Sequence, residues 1–279
     1  MTPDPEYPAP NRPDNLLSML RTARRLAAPS WVMPGTIEDN CLFLAGLVDE
    51  VGLIFFDGRS SLGYSRKDLP PSLADLPLTY HLHLPLDLPW HNPVAAADLC
   101  VDLLEKTAFL PGEPVAEGDL PGHGPRAVLH PPDADPADSR LAGLRLAAFV
   151  RRFSDRGGNV PDLLVENTAG NDLGGLESVI VESGLRVCPD LGHMLAYGQE
   201  SLLRRERLLE RTALLHLNAS SRNSAAHLPL GALDAHGRDL ARRLCGAVPR
   251  QAVVMLELFR WRDILDSLPV ISPWLLPVE

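Results

Sequence analysis

Short apolar runs rich in β-branched residues alternate along this chain with longer stretches whose apolar positions recur every three to four residues. The first pattern reads as buried strands and the second as amphipathic helices. Their alternation predicts βα units around a parallel sheet. Strands are expected over residues 31–33, 51–56, 78–84, 126–130, 163–166, 185–188, 213–217 and 252–258. Helices are expected over residues 37–48, 94–110, 138–153, 200–210 and 235–245. Gly157 and Gly158 follow the third helix and Gly246 the last, where a helix C-terminus favours glycine. Eight such units in about 250 residues is the arithmetic of a (β/α)8 TIM barrel, an α/β fold. An open doubly wound sheet shares the alternation, but the glycine-rich loops that cradle phosphate in that class, G-x-G-x-x-G and G-x-x-x-x-G-K-[ST], are missing.

The barrel is expected to occupy residues 16–279 as one domain, preceded by a loose proline-rich arm over residues 1–15. Two connections are longer than usual. Residues 111–125 come before the fourth strand, at the end of a barrel away from its chemistry, whereas residues 218–234 follow the seventh strand and are expected to lie over the mouth.

Composition narrows the partners. With 45% hydrophobic and 22% charged residues the 279-residue chain has enough apolar material for a sizeable core and no uninterrupted run long enough to span a membrane. Its 26 basic and 36 acidic groups leave a formal charge of -10, and Lys67 and Lys106 are the only lysines. Nucleic-acid binders present clustered Lys and Arg to phosphates, so this balance disfavours DNA or RNA and points to a small molecule. Cys41, Cys100, Cys188 and Cys245 form no C-x-x-C pair, and the opening residues have no charged n-region followed by an apolar h-region. Reduced, buried thiols in a cytoplasmic protein are expected.

The ends of the strands carry the candidate chemistry. The last residues of each run and the first of the loop beyond it supply Asp57, His83, His130, Glu166, Asp190 with His193, His216 with His227, and Glu257. In a barrel these ends converge on one mouth. Imidazole nitrogen with carboxylate oxygen suits Zn, Mn or Fe, and the set exceeds what one ion needs, so two or three divalent metal ions are expected as cofactors. Glu166 and Glu257 end wholly apolar runs, where a carboxylate needs a cation or donors to offset its desolvation. They are the candidate catalytic groups. His81 lies two residues before His83, on the same strand face but one layer deeper, and is expected to support the site or the core. His91, His123 and His236 read as surface residues. Asp57, Arg222 and Arg260, with Arg262 nearby, are candidates for holding the substrate.

The stretches VENTAG at 165–170, PDLGH at 189–193, LHLN at 215–218 and MLE at 255–257 resemble the xylose-isomerase-like barrel superfamily that includes the endonuclease IV type of apurinic-site endonuclease. Within it, VDEVGLIFF at 48–56 and LTYHLHLPLD at 78–87 are similar to the cobamide-remodelling phosphodiesterases, which cut the nucleotide-loop phosphodiester of adenosylcobalamin. That resemblance implies one metal on His83, His130 and Glu166, with Glu166 bridging to a second on Asp190, His216 and Glu257, and a third site on His193 and His227. The endonuclease pattern has an Asp two residues before the last His, where this chain has Ala225, so the third site lacks its carboxylate. The activity implied is metal-dependent phosphodiester hydrolysis giving adenosylcobinamide phosphate and a riboside. Two other functions stay open: a sugar isomerase or epimerase of the same fold, and a metal- or corrinoid-binding scaffold without turnover.

Overall fold

The computed structural model describes residues 15–112, 124–135, 138, 140–222 and 224–276. The strands are β1 (Leu26–Pro29), β2 (Glu50–Ile54), β3 (Thr79–His83), β4 (Arg126–Leu129), β5 (Leu163–Glu166), β6 (Arg186–Cys188), β7 (Leu214–Leu217), β8 (Ala219–Ser221), β9 (Ser224–Leu228) and β10 (Val253–Leu256). Eight of them form one parallel sheet in the order β6-β5-β4-β3-β2-β1-β10-β7. Its two edges meet: Ala213 N donates to Val187 O at 3.1 Å and His216 N to Pro189 O at 2.9 Å, which nearly closes the TIM barrel. The pair β8 and β9 is an antiparallel hairpin outside that sheet.

Strand register explains what the barrel encloses. Ala27 pairs with Glu50, Gly52 with His81, Ile54 with His83, His83 with Val128, Val128 with Leu164, Glu166 with Cys188, and Met255 with His216. Alternate residues of each strand therefore share the inner face. Ala27, Ile54, Val128, Leu164, Cys188, Leu214, Val253 and Met255 fill it as a small apolar core, and a much larger core lies between the strands and the surrounding helices. Gly52 occupies one inner position because a Cβ there would sit 2.7 Å from the His81 ring nitrogen. All four cysteines are free and buried.

Several local expectations are corrected. The first strand is Leu26–Pro29 and not residues 31–33: Ala-Ala-Pro has little strand propensity, whereas Trp-Val-Met has the apolar signature but already leads out of the barrel. The helix expected over 200–210 is a 3-10 turn, Glu200–Arg204, followed by the short helix Glu206–Leu209. Residues 218–234 hold the hairpin, not a loop. The helix Trp261–Leu275 escapes a sequence reading because Pro269 and Pro273 interrupt it. The other expected helices shift only at their ends, as with Ile37–Leu44, which starts at a Thr36/Asp39 capping box. Residues 1–14 of the proposed arm and 113–123 of the long connection, with His123, lie outside the described residues, and Asn15 already opens the helix Asn15–Ala23.

Candidate metal centre

Parity along each strand and the register between strands bring His83, His130, Glu166, Asp190, His216 and Glu257 to one end of the barrel. Helix Leu191–Tyr197 adds His193, and the hairpin adds His227. Glu166 sits at the centre. His83 Nε2 and His130 Nε2 each lie 3.2 Å from its Oε2, while His216 Nδ1 lies 3.3 Å and His193 Nδ1 3.5 Å from its Oε1. Glu257 Oε2 is 3.3 Å from both His216 Nδ1 and His227 Nε2, and Asp190 Oδ2 is 3.9 Å from His216 Nδ1. Donor atoms of Glu166, Asp190, His216 and Glu257 all fall within 4.8 Å of one another, as do those of His83, Glu166 and His216. The eight residues named as metal ligands are thus neighbours.

These donors fit divalent ions. His130 Nε2 and Glu166 Oε2 are buried with no hydrogen-bond partner, a costly arrangement that a bound cation resolves. The backbone sets two histidine tautomers. His83 Nδ1 donates to the Leu84 carbonyl at 3.1 Å and His193 Nδ1 to the Asn167 carbonyl at 2.7 Å, which leaves Nε2 of each ring as an acceptor. His227 holds a left-handed backbone, φ 45°, at a cost of about 1–3 kcal/mol that functional sites tolerate.

Electrostatics follow from crowding carboxylates and imidazoles in a dry place. Burial alone would raise the Glu166 and Glu257 carboxyls, but the neighbouring histidines, His216 foremost, hold both well below the usual range. Burial and the nearby Glu257 and Glu166 raise Asp190. Burial disfavours protonation of His216, yet the Cys188 sulfur and the Glu257 and Glu166 carboxylates outweigh it and raise His216 well above its ordinary value. Carboxylates outweigh burial likewise at His193 and His227.

A pH dependence follows for the metal-free protein. A histidine raised on folding contributes stability below its unfolded pKa, near 6.5, and loses it as pH rises through the folded value. The share of the lowered carboxylates is already complete above the carboxylate range. The melting temperature of metal-free protein is therefore expected to fall as pH rises above about 6.5, and Zn²⁺ or Mn²⁺ to restore it. A flat profile would contradict the ion pairing.

The three substrate candidates fare differently. Asp57 caps the helix Gly58–Leu62, accepting the Ser60 amide at 2.7 Å, and Arg260 is paired with Asp263 at 2.8 Å, so both have local structural partners. Arg222 is exposed at the turn of the hairpin. Arg262 pairs with Asp266. His81 lies one layer below the site, 2.7 Å from Glu50. Sequence reasoning missed a polar frame around the ligands. Asn167 accepts the Asp190 amide at 2.7 Å and donates to Gln199, and Asn218 reaches Asp190 and Glu257. It also missed the apolar rim formed by Trp31, 6.3 Å from Phe56 between ring centres, and by Phe259, 5.1 Å from His227. Phe56 is 52% and Phe259 36% exposed, at the ends of β2 and β10 on either side of β1.

No helix among the described residues is long and apolar enough to cross a membrane. No protein-family model and no curated protein matches the chain. Solved structures do. A D-tagatose 3-epimerase-like protein superposes with TM-score 0.63 at 17% identity, covering 90% of this chain and 97% of its own. D-psicose 3-epimerase with D-tagatose from Clostridium cellulolyticum H10 gives TM-score 0.56 at 14% identity, over 91% and 100% of the two chains. A xylose isomerase-like TIM barrel protein from Mycobacterium smegmatis in complex with magnesium gives 0.51 at 13%, over 91% and 98%. At these identities the likeness is one of architecture alone, and it agrees with the TIM barrel that the strands build.

Proposed function

We propose that the protein is a metal-dependent hydrolase that cleaves a phosphodiester in a small molecule, with the nucleotide loop of a cobamide as the substrate implied by the sequence resemblance. One observation carries the reading: His83 Nε2 and His130 Nε2 converge on Glu166 Oε2, beside a second donor group of Glu166, Asp190, His216 and Glu257. Glu166 belongs to both groups and ties them together. When bound, two divalent ions neutralise a phosphodiester and supply a water acidic enough to attack it near neutral pH. The chain's own part is to fix the donors. Leu84 and Asn167 carbonyls hold the rings of His83 and His193, and the buried walls keep bulk water from the carboxylates. The apolar rim of half-buried Trp31 with exposed Phe56 and Phe259 suits a substrate larger and less polar than a free sugar.

A second reading has its own support. Glu166, Asp190, His216 and Glu257 by themselves offer the four donors of a one-ion site, and of the neighbours above one is an epimerase and another epimerase-like by name. In that reading the two glutamates would move a proton at a ketose carbon, and His83 and His130 would hold no ion. Likeness of fold favours the epimerase; the surplus imidazoles favour the hydrolase.

Metal analysis joined to turnover separates them. The hydrolase reading expects about two ions per chain and release of the riboside from adenosylcobalamin in Mn²⁺ or Zn²⁺. One ion per chain with interconversion of D-psicose or D-tagatose would replace it with the epimerase. Tight binding of adenosylcobalamin with no turnover of any of these compounds would leave a scaffold.

A further inference from the structure

We infer that Asn218 is a positioning residue that prepares Asp190 and Glu257 for one metal ion and leaves the His83/His130 side of the site untouched, so that the two donor groups differ in what sets their affinity. The inference rests on the two-group reading above. Asn218 lies two residues beyond His216, on the same face of the chain, and is 1% exposed. Its Nδ2 donates to Asp190 Oδ2 at 2.8 Å and reaches Glu257 Oε2 at 3.5 Å. Both acceptors are buried carboxylates, and among the described residues neither is paired with a lysine or arginine. A neutral amide between two like charges orients an oxygen of each without cancelling the negative charge that attracts a cation.

A second observation, independent of those hydrogen bonds, shows that the chain makes room for this amide. A Cβ at Gly192, in the helix that Asp190 caps, would lie 1.7 Å from Asn218 Oδ1 and 2.8 Å from Ser220 Oγ. Only glycine lets the helix approach the amide so closely. Ser220 Oγ donates to Oδ1 at 3.4 Å, and with Gly192 it fixes which end of the amide faces the carboxylates. On the other side of the site the corresponding orienting contact is a backbone carbonyl, that of Leu84 on His83, whereas the Asn218 amide nitrogen is turned to Asp190 and Glu257.

The test is metal titration of the full chain, with Zn²⁺ or Mn²⁺ competed against a chromophoric chelator. Asn218→Ala is expected to weaken one ion by about 10–100-fold, the usual effect of removing an outer hydrogen-bond partner, and to leave the other within about threefold. Gly192→Ala, which pushes the amide aside without removing it, is expected to do the same, and it keeps the inference testable if Asn218→Ala fails to fold. Wild-type affinity for both ions in Asn218→Ala, or equal weakening of both, would overturn the inference. If the wild type binds one ion only, the two-group reading fails by itself, and an unchanged affinity for that ion in Asn218→Ala would separately remove the positioning role.

Discussion

Replacing Glu166 with glutamine is expected to lower turnover by more than about a hundredfold, beyond the range that losing even an outer-shell partner reaches, and to strip at least one ion from each chain. The size follows from where the carboxylate sits. Its two oxygens face four imidazoles, those of His83, His130, His216 and His193, at 3.2–3.5 Å. Glutamine keeps the shape but removes the charge and can turn one acceptor into a donor aimed at His83 Nε2 and His130 Nε2, which must stay free for metal. Glu257→Gln is the informative contrast. Glu257 engages His216 and His227 closely and His83 only at 4.0 Å, so one ion should survive on the His83/His130 side while turnover still falls. Metal content and kcat/KM measured on the same preparations check both. A Glu166→Gln protein with full metal and near-normal kcat/KM would remove Glu166 from the chemistry under either enzymatic reading.

The ligand positions were legible because strand parity is a strict rule. Once His83, Glu166, His216 and Glu257 are recognised as ends of buried strands, an inward direction at one end implies the same for all, and closure of the barrel does the rest. Parity also explains why His81 falls one layer below His83. The features that escaped depend on partners far away in sequence. Asn218 reads as an ordinary loop residue until Asp190 and Glu257 are seen beside it, and Asp57 reads as a strand-end ligand until Ser60 shows it to be a helix cap. Strand β1 is hard to see in the sequence because Ala27 and Ala28, though buried, have little strand propensity. Glu50 gave no signal at all, since an acidic residue at the start of an apolar run looks like an exposed strand end.

Glu50 instead lies fully buried at the floor of the barrel, and Glu50→Gln is expected to destabilise the fold by about 3–5 kcal/mol, or roughly 6–20 °C in Tm, because it breaks a buried ion pair by removing one of its two charges. The other charge is Arg126, whose Nη2 donates to Glu50 Oε1 at 3.1 Å and Oε2 at 3.3 Å from inside the barrel; His81, Thr79 and Arg25 complete the shell. Burial would raise the Glu50 carboxyl, but Arg126 and His81 hold it far below the usual range, while burial keeps His81 below its ordinary value. A carboxyl depressed on folding contributes stability above its unfolded pKa, near 4.3, and loses it as pH falls through the folded value. The difference in Tm between wild type and Glu50→Gln should thus be full at pH 7 and shrink only below about pH 4. Removing both charges is the control: Glu50→Leu with Arg126→Met should recover most of the loss, because a buried ion pair replaced by apolar groups of similar size is often neutral in stability. A single-variant loss under about 2 °C at pH 7, less than 1 kcal/mol for a chain of this length, would mean that water reaches the floor and that this cluster is not the buried pair its geometry describes.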